Sequence, residues 1–483
     1  MNLVCICLDT FRADIVGRDQ PLGFIETPNL DAFAAESVYF ERAFGECQPT
    51  LQMRRAFFTG MRSFPFSYNY DRRGHWHHAP GWHKIPPHQD TMAEILLPRG
   101  YATGLISDTY HMFKPTMNYT RGFCSYEFIR GQETDNYRVA NPNAVKEELK
   151  RYGCMPDDPT RYAYLIQYLA NNRGRESEED YLCAKVFTAA SRWLEDNAAN
   201  QPFFLWVDAF DPHEPWDPPR EYAEKYCSDF SDTDFAFPGG PATGGRLSED
   251  QIKRTRALYC GEVTLVDAWV GKLFEAMTKL RLWDNTILMV LSDHGTQLME
   301  EGRFGKGRGD MRPYNTRFVW YLRHPDGPRD KKVTAYVQSH DVAPTALALL
   351  GVPFGADGKS AWPLVTGERN KIRDYIVCGW ANWSISEYGG SAVGFASVRD
   401  DEWCYVAPVG DPRERWERLY HLPTDPDEVE DVAAQQPEIV KRQRERVEAV
   451  MKQQLPGKFE ELGGPAPSPG SIFIASRYGK HQT

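Results

Sequence analysis

Two sets of candidate metal-ligating side chains directly follow predicted strands. Asp9 ends the apolar run at residues 3–8, and Asp293-His294-Gly295 follows the run at residues 286–291. The carboxyl ends of parallel strands meet at one edge of a sheet, where ligands bind. Carboxylate and imidazole groups suit Mn²⁺, Ca²⁺, Mg²⁺ or Zn²⁺. The pattern predicts one divalent metal site, although Asp9 taken alone would equally fit the cap of a helix or turn.

The segment Cys47-Gln48-Pro49-Thr50-Leu51-Gln52-Met53-Arg54, which continues to Thr59-Gly60, is the second candidate. It resembles the signature of the sulfatase branch of the alkaline phosphatase superfamily, Cys (or Ser)-x-Pro-Ser-Arg-x4-Thr-Gly, whose first residue becomes the formylglycine nucleophile. Cys47 matches Cys-x-Pro, but Leu51 then stands where Arg should be. Thr50 keeps both Arg54 and Thr59-Gly60 at the right distance, so we favour Thr50. At a helix N-terminus its oxygen would be favoured as an oxyanion, with Arg54 one turn along the same face.

The resemblance extends over roughly residues 2–450. Lys306 follows Asp293 by thirteen residues, as the family's active-site lysine does. Further matching segments are Thr27-Pro28-Asn29-Leu30-Asp31, Asp211-Pro212-His213-Glu214-Pro215, residues 259–271 with Asp267, Ser292-Asp293-His294-Gly295, residues 341–345 and residues 419–426.

Roles for individual residues follow from this resemblance only. It implies one divalent metal ion held by Asp9, Thr50, Asp293 and His294. It implies that Arg54 and Lys306 neutralise an anionic ester, and that His213 hydrogen-bonds the leaving or attacking oxygen. The resemblance further implies a substrate-binding set: Thr109, His111, Asp211 and Arg308.

Three smaller departures from the family pattern, besides that at Thr50, limit what can be carried over. Thr10 stands where the family usually has a second Asp, and Asp108 stands at the position of a lysine. His111 either replaces the family's nearby histidine with a one-residue shift or is a surface residue. A histidine cluster at His75, His77 and His78 is more consistent with a polar loop at the rim of the site than with a metal site.

Thr50 is the largest departure, because formylglycine is made from Cys or Ser. The gem-diol of formylglycine releases sulfate when its second hydroxyl collapses, whereas Thr has one hydroxyl. An ester on Thr50 would have to be cleared by water, as in the phosphatases and phosphodiesterases of the superfamily. We therefore predict a metal-dependent hydrolase of phosphoric mono- or diesters or of phosphonate esters, without formylglycine. The alternatives are a sulfuric ester hydrolase acting through Thr50 or water, and a catalytically weak anion-binding protein.

The elements that must position these residues alternate along the chain. Apolar runs at residues 3–8, 101–106, 203–209, 286–291 and 318–322 alternate with helical stretches, which predicts an α/β fold with a mostly parallel sheet sandwiched by helices. Short strands close in sequence after about residue 370 predict a small antiparallel sheet with one helix. We expect a catalytic domain at residues 1–370, a C-terminal α+β subdomain at 371–455 and a Pro/Gly-rich tail at 456–483.

Composition restricts the partners. The 483 residues carry a net charge of −11, which disfavours nucleic acid as a partner. No apolar run approaches the ~18 residues of a membrane helix. Ten scattered cysteines and no secretory signal favour a cytoplasmic protein. The apolar Ile472-Phe473-Ile474 of the tail predicts packing either on another subunit, giving a homo-oligomer, or back on its own chain.

Overall fold

The computed structural model of the protein describes residues 1–17, 20–65, 82, 84–115, 117–152, 162–228, 233–237, 247–306, 311–383, 392–409, 416–455 and 469–479. The strands are β1 (Asn2–Leu8), β2 (Val38–Phe40), β3 (Ala43–Phe44), β4 (Cys47–Gln48), β5 (Ala102–Ser107), β6 (Ser125–Phe128), β7 (Phe203–Ala209), β8 (Thr286–Ser292), β9 (Gln297–Leu298), β10 (Phe304–Gly305), β11 (Trp320–Arg323), β12 (Lys331–Val333), β13 (Val337–Gln338), β14 (Ile376–Trp383), β15 (Ala392–Arg399), β16 (Trp403–Val409) and β17 (Arg418–His421). The α-helices are α1 (Pro28–Ala35), α2 (Thr50–Thr59), α3 (Met92–Leu96), α4 (Lys146–Arg151), α5 (Ala163–Asn171), α6 (Leu182–Asn197), α7 (Arg220–Glu224), α8 (Glu249–Lys279), α9 (Pro313–Thr316), α10 (Val342–Leu349), α11 (Trp362–Thr366), α12 (Pro437–Met451) and α13 (Pro469–Tyr478).

The large sheet has the strand order β12-β2-β11-β8-β1-β7-β5-β6. Strands β8, β1, β7, β5 and β6 are parallel, and β11 runs antiparallel to both of its neighbours. The predicted mostly parallel sheet is therefore confirmed. The carboxyl ends of the five parallel strands meet at one edge, which is where the chain must place any residues that act together.

The central strand β1 is buried along its whole length. Leu3, Cys5 and Cys7 belong to one hydrophobic cluster, and Val4, Ile6 and Leu8 to the other. Side chains alternate between the two faces of a strand, so the two clusters lie on opposite faces of the sheet. A strand covered on both faces has a continuous apolar sequence rather than an alternating one.

The second sheet has the order β17-β16-β15-β14-β4, with antiparallel pairing from β14 to β17. Helix α12 packs on it through Val440, Val447 and Met451. This confirms the predicted small antiparallel sheet with one helix. An addition that the sequence did not predict is β4, which pairs in parallel with β14. The second sheet is thereby connected to the residues immediately before α2.

Helix α2 begins at Thr50, the residue predicted to lie at a helix N-terminus. Two other local features differ from the expectations. Strand β11 is antiparallel because the chain reaches it from β10 and α9 without the crossover that a parallel neighbour of β8 requires. The apolar tail forms helix α13, whose Ile474 is buried against α5.

Helix α13 packs on its own chain through Ile474, which agrees with the prediction that the tail folds back on its own subunit. Ile472 and Phe473 remain exposed on the outer face of this helix. A homo-oligomer formed through the tail stays a prediction. None of the helices within the described ranges is both long and apolar enough to cross a bilayer.

Replacing Asp267 with alanine is expected to destabilise the fold by about 2 kcal/mol without removing the metal site. Asp267 on α8 accepts hydrogen bonds from the backbone N–H groups of Asn29 and Leu30, at 3.2 and 2.8 Å, in the first turn of α1. These N–H groups lack partners within their own helix. Urea denaturation of the variant would measure the loss, and an unchanged free energy of unfolding would contradict this capping role.

Candidate active site

Asp9, Asp293 and His294 meet at the carboxyl edge of the large sheet. Asp9 follows β1 and Asp293 follows its neighbour β8, and Leu8 and Ser292 are paired across the two strands. The ligand atoms of the three residues lie within 4.8 Å of one another, and all three side chains are fully buried. His294 Nε2 is 3.5 Å from Asp293 Oδ2 and 4.0 Å from Asp9 Oδ1. The structure therefore brings together the three predicted ligands that follow strands.

The imidazole of His294 is oriented as a metal ligand would be. Its Nδ1 lies 2.8 Å from the carbonyl oxygen of Gly295, so the ring donates from Nδ1 and leaves a lone pair on Nε2. Burial lowers the pKa of His294 to about 4, which keeps the ring neutral. Gly295 also lets the backbone of Tyr314 approach closely, because a Cβ at this position would lie 2.0 Å from the carbonyl oxygen of Tyr314.

Arg54 lies beneath this cluster and is fully buried. Its Nη1 is 2.8 Å from Asp293 Oδ2 and 3.0 Å from Asp9 Oδ2, while its Nε and Nη2 bind Asp208 at 2.8–3.1 Å. Its Nη1 also donates to the carbonyl oxygen of Thr50 at 3.2 Å. Every nitrogen of the guanidinium thus has a protein partner. This geometry favours a role for Arg54 in positioning the carboxylates over direct contact with an ester.

Charge and unpaired atoms at this cluster fit a divalent cation. When they are ionised, the buried carboxylates of Asp9, Asp208 and Asp293 carry three negative charges against the single positive charge of Arg54. The group then has a net charge of −2. Burial and the charge of Asp293 raise the pKa of Asp9 well above its usual range. His294 Nε2 has no hydrogen-bond partner among the described residues, and Asp9 Oδ2 has its ion pair with Arg54 but no further hydrogen bond. A buried lone pair is seldom left unpaired, so His294 Nε2 marks the place of a cation.

Of the two neighbouring carboxylates Asp9 and Asp293, Asp293 is the one held in the ionised form. Burial opposes its ionisation, but His294, Arg54 and the N–H of Thr10 outweigh burial and hold the pKa of Asp293 well below its usual range. Its Oδ1 accepts from the N–H groups of Thr10 and His294 at 2.9 and 2.7 Å, so Oδ2 faces the cluster. Thr10, at the position of the family's second Asp, donates its hydroxyl to Asp9 Oδ1 at 2.7 Å.

Thr50 is the first residue of α2, and its carbonyl shares Arg54 Nη1 with the carboxylates of Asp9 and Asp293. The helix therefore begins beside the cluster, and the N–H groups of its first turn lack partners within the helix. Gly60 ends the helix in the left-handed conformation, at a φ of 64°. The Thr50-to-Gly60 spacing that the sequence indicated thus corresponds to one complete helix.

Cys47 lies in a different environment. It is part of β4 and is fully buried in the hydrophobic cluster of the second sheet. Burial and the charge of Glu46 raise the pKa of its thiol well above the usual range, so the thiol stays protonated. A reactive cysteine needs the opposite environment.

His213 and Lys306 meet at Glu214. Lys306 Nζ is 2.8 Å from Glu214 Oε2, and His213 Nδ1 is 2.6 Å from the carbonyl oxygen of Glu214. Burial opposes ionisation of Glu214, but His213 and Lys306 outweigh it and lower its pKa to about 2. The charge of Lys306 favours a lower pKa of both Asp9 and His294, and the charge of His213 favours a lower pKa of His294. Both side chains therefore lie close enough to the cluster to interact with it electrostatically.

The two predicted substrate-binding residues Thr109 and His111 follow β5 and are buried. Thr109 donates its hydroxyl to Asp208 at 2.6 Å, beneath Arg54. His111 Nε2 is 2.9 Å from Glu133 Oε2. His111 is 2 % exposed, so the surface alternative for this residue is wrong.

Asp108 and Asp211 face each other rather than an open site. The side-chain amide of Gln132 donates to Asp108 at 2.9 Å and to Asp211 at 2.8 Å, and the N–H of Phe210 binds Asp108 at 2.7 Å. Burial and the charge of Asp211 raise the pKa of Asp108, and burial raises that of Asp211. In the described structure the oxygens of Asp211 are occupied by Gln132 and by the N–H of Cys183, which argues against direct substrate contact.

Other predicted positions could not be placed, and some relevant residues were not predicted. Arg308 and the histidines at 75, 77 and 78 lie outside the described residues. Asp208, Glu133 and Glu214 were missed. Asp208 is the next-to-last residue of a predicted strand, near the edge where Asp9 lies, which was a usable signal, and Glu214 is adjacent to His213. Glu133 had no signal, because it lies in a loop and the strand before it, β6, is short and partly exposed.

Comparison with known proteins finds matches over most of the chain. The family model named Sulfatase matches residues 1–352. The chain belongs to the sulfatase family. It is 24% identical to an arylsulfatase of Clostridium perfringens over 464 residues, which cover 89% of each protein. It is 23% identical over 411 residues to the multifunctional alkaline phosphatase superfamily protein PehA of Trinickia caryophylli, covering 75% of this chain and 77% of PehA.

A solved structure confirms the fold of this sulfatase-family chain. The phosphonate monoester hydrolase of Agrobacterium radiobacter superposes with a TM-score of 0.71 at 20% identity, covering 93% of this chain and 95% of that one. The chain is thus a hydrolase of the sulfatase and alkaline phosphatase superfamily, whose members generally use a divalent metal.

Proposed function

We propose that this sulfatase-family protein hydrolyses a phosphodiester or phosphonate monoester with Thr50 as the nucleophile. The observation that carries the proposal is the identity of the residue that begins α2 at the Asp9, Asp293 and His294 cluster. It is a threonine, whereas the nearby cysteine is buried in the second sheet. A phosphoric monoester is a weaker candidate, because it is a dianion near neutral pH.

The chemistry of the threonine separates phosphorus from sulfur. Attack by the Thr50 hydroxyl would form a covalent ester and release the leaving group, and His213 would hydrogen-bond the departing oxygen. The ester on Thr50 must then be hydrolysed by water at the central atom, because a single hydroxyl cannot expel the group by collapse. A divalent cation held by Asp9, Asp293 and His294 would supply Lewis acidity at this site.

Charge around the cluster favours a monoanionic ester. A divalent cation would balance the two excess negative charges of Asp9, Asp208 and Asp293 against Arg54. Lys306 is already paired with Glu214. With the fixed charges close to balance, the cost of placing a dianion there exceeds that of a monoanion. Phosphodiesters, phosphonate monoesters and sulfate esters are monoanions, while phosphate monoesters are dianions near neutral pH.

A panel of 4-nitrophenyl esters tests the proposal. At defined Mn²⁺, Mg²⁺, Ca²⁺ or Zn²⁺, we expect kcat/KM for the phosphodiester and phosphonate monoester to exceed that for the sulfate and the phosphate monoester by at least about tenfold. A dominant sulfatase activity would instead support the second candidate function, that of a sulfuric ester hydrolase. The likeness to an arylsulfatase along 89% of the chain favours this alternative. Tight binding of phosphate or sulfate without turnover of any ester would identify a catalytically weak anion-binding protein.

A further inference from the structure

Lys306 and Glu214 form an ion pair beside the metal cluster. Lys306 Nζ is 2.8 Å from Glu214 Oε2, and the two side chains are only 14 % and 9 % exposed. Glu214 lies in the loop that follows β7, directly after His213, and Lys306 directly follows β10. The pair therefore joins the loop after β7 to the hairpin that follows β8.

Glu214 carries a full negative charge at neutral pH. Burial opposes its ionisation, but the charges of His213 and Lys306 outweigh burial and lower the pKa of Glu214 to about 2. Its Oε2 is also 3.7 Å from His213 Nδ1. The positive charge of Lys306 is consequently balanced by a neighbour that stays ionised wherever the enzyme would act.

Lys306 can bind an ester oxygen without leaving Glu214. An ammonium group has three donor hydrogens, and Glu214 is the partner that the described residues provide for Lys306 Nζ. The charge of Lys306 favours a lower pKa of both Asp9 and His294, so the ammonium interacts electrostatically with the cluster. An ester bound at the cluster would therefore receive hydrogen bonds from Lys306, but little net positive charge.

We propose that Glu214 is a specificity-determining residue that selects monoanionic over dianionic esters by balancing the charge of Lys306. A site can reject a ligand by leaving part of the charge of that ligand unpaired. The second negative charge of a phosphate monoester has no counterpart at a balanced Lys306, and burying an unpaired charge is unfavourable. The inference rests on the proposed function for the identity of the esters and assigns their charge preference to one residue.

The variant Glu214→Gln removes the charge, preserves the size of the side chain and can still accept a hydrogen bond from Lys306. Methanesulfonate and sulfate are suitable probes, because they are similar in shape and carry one and two negative charges. In calorimetric titrations of metal-loaded protein, we expect the ratio of sulfate affinity to methanesulfonate affinity to rise by at least about tenfold over wild type. The ratio of kcat/KM for the phosphate monoester to that for the phosphodiester should rise with it.

Asp217→Asn is the matched control, measured at the same metal content. Asp217 is a buried acid three residues further along the same loop, where it pairs with Arg175 and accepts a hydrogen bond from Tyr152. This variant also removes one carboxylate charge but should leave both ratios unchanged, even if the protein becomes less stable. An equal rise in Asp217→Asn, or unchanged ratios in Glu214→Gln, would overturn the proposal.

Anion binding separates this proposal from the proposed function, because it requires no turnover. If the wild-type enzyme hydrolyses the phosphodiester but Glu214→Gln leaves the ratios unchanged, the proposed function stands and the role of Glu214 is wrong. If no ester is hydrolysed but the affinity ratio rises in Glu214→Gln, the role of Glu214 stands and the proposed function is wrong.

The wild-type protein provides a second test should Glu214→Gln fail to fold. Binding of methanesulfonate at least as tight as that of sulfate supports the proposal, and tighter binding of sulfate overturns it. Where neither anion binds, the kcat/KM ratio for the two phosphate esters decides in the same way. A wild-type protein that binds neither anion and hydrolyses no ester would overturn both proposals.

Discussion

Alanine in place of Thr50 is expected to lower ester hydrolysis by more than about 10³-fold, further than the loss of any single group that stabilises charge. The variant removes the hydroxyl of the residue that begins α2, at the cluster of Asp9, Asp293 and His294. Thr50→Ser retains a hydroxyl on the same backbone and should keep appreciable phosphoesterase activity. Steady-state kinetics with the preferred ester would measure both variants, and metal analysis would show how much of the cation each one binds.

Cys47 supplies the matched control for the nucleophile. Its thiol is buried in the second sheet and stays protonated, so Cys47→Ala should be nearly silent in catalysis, although it leaves a small cavity. Mass spectrometry of the purified protein should find unmodified cysteine at position 47. A well-folded but inactive Cys47→Ala variant, or an aldehyde at this position, would overturn the assignment of Thr50 and restore the formylglycine reading.

Loss of the metal site is the second large effect that we expect. Asp293→Ala removes one of the three clustered ligands. It should abolish stoichiometric metal binding and lower the rate of ester hydrolysis by at least about 10³-fold. Arg54 keeps its contacts with Asp9 and Asp208, so the helix α2 remains tied to the sheet. Elemental analysis after dialysis, and titration with Mn²⁺, would measure the metal directly.

Lys306→Ala distinguishes loss of metal from loss of charge on the substrate side. Lys306 pairs with Glu214 and provides no ligand, so this variant should retain the cation while losing about 10²–10³-fold in rate. Stoichiometric metal in Asp293→Ala would show that the cation is bound elsewhere. Absence of metal in the Lys306 variant would show that the cluster depends on the Lys306–Glu214 pair.

Much of the fold follows from local pattern. The strands predicted at residues 3–8, 101–106, 203–209 and 286–291 appear within one residue of those bounds, because a short continuous apolar run between polar segments is typical of a buried strand. Helix α5 and strand β6 were missed. Strand β6 is short and partly exposed, while α5 is buried by the tail helix α13, which is remote in sequence. The antiparallel direction of β11 also had no local signal.

At the site, the sequence by itself determined the ligand types at strand ends and the register of α2. Asp9, Asp293 and His294 directly follow strands, and strand ends converge in any parallel sheet, so their meeting could be predicted without coordinates. The spacing from Thr50 to Gly60 likewise defines one helix, because helix geometry depends on neighbours along the chain.

Only the tertiary structure decided how the charges are distributed. It places Asp208 on Arg54, which commits that guanidinium to carboxylates, and it brings Glu133 from a loop of its own between His111 and His213. It also buries Cys47 in a sheet formed mainly by residues more than 300 positions later. The physical reason is that burial and charge pairing depend on which segments pack together in space, and these contacts join residues with no fixed separation in sequence.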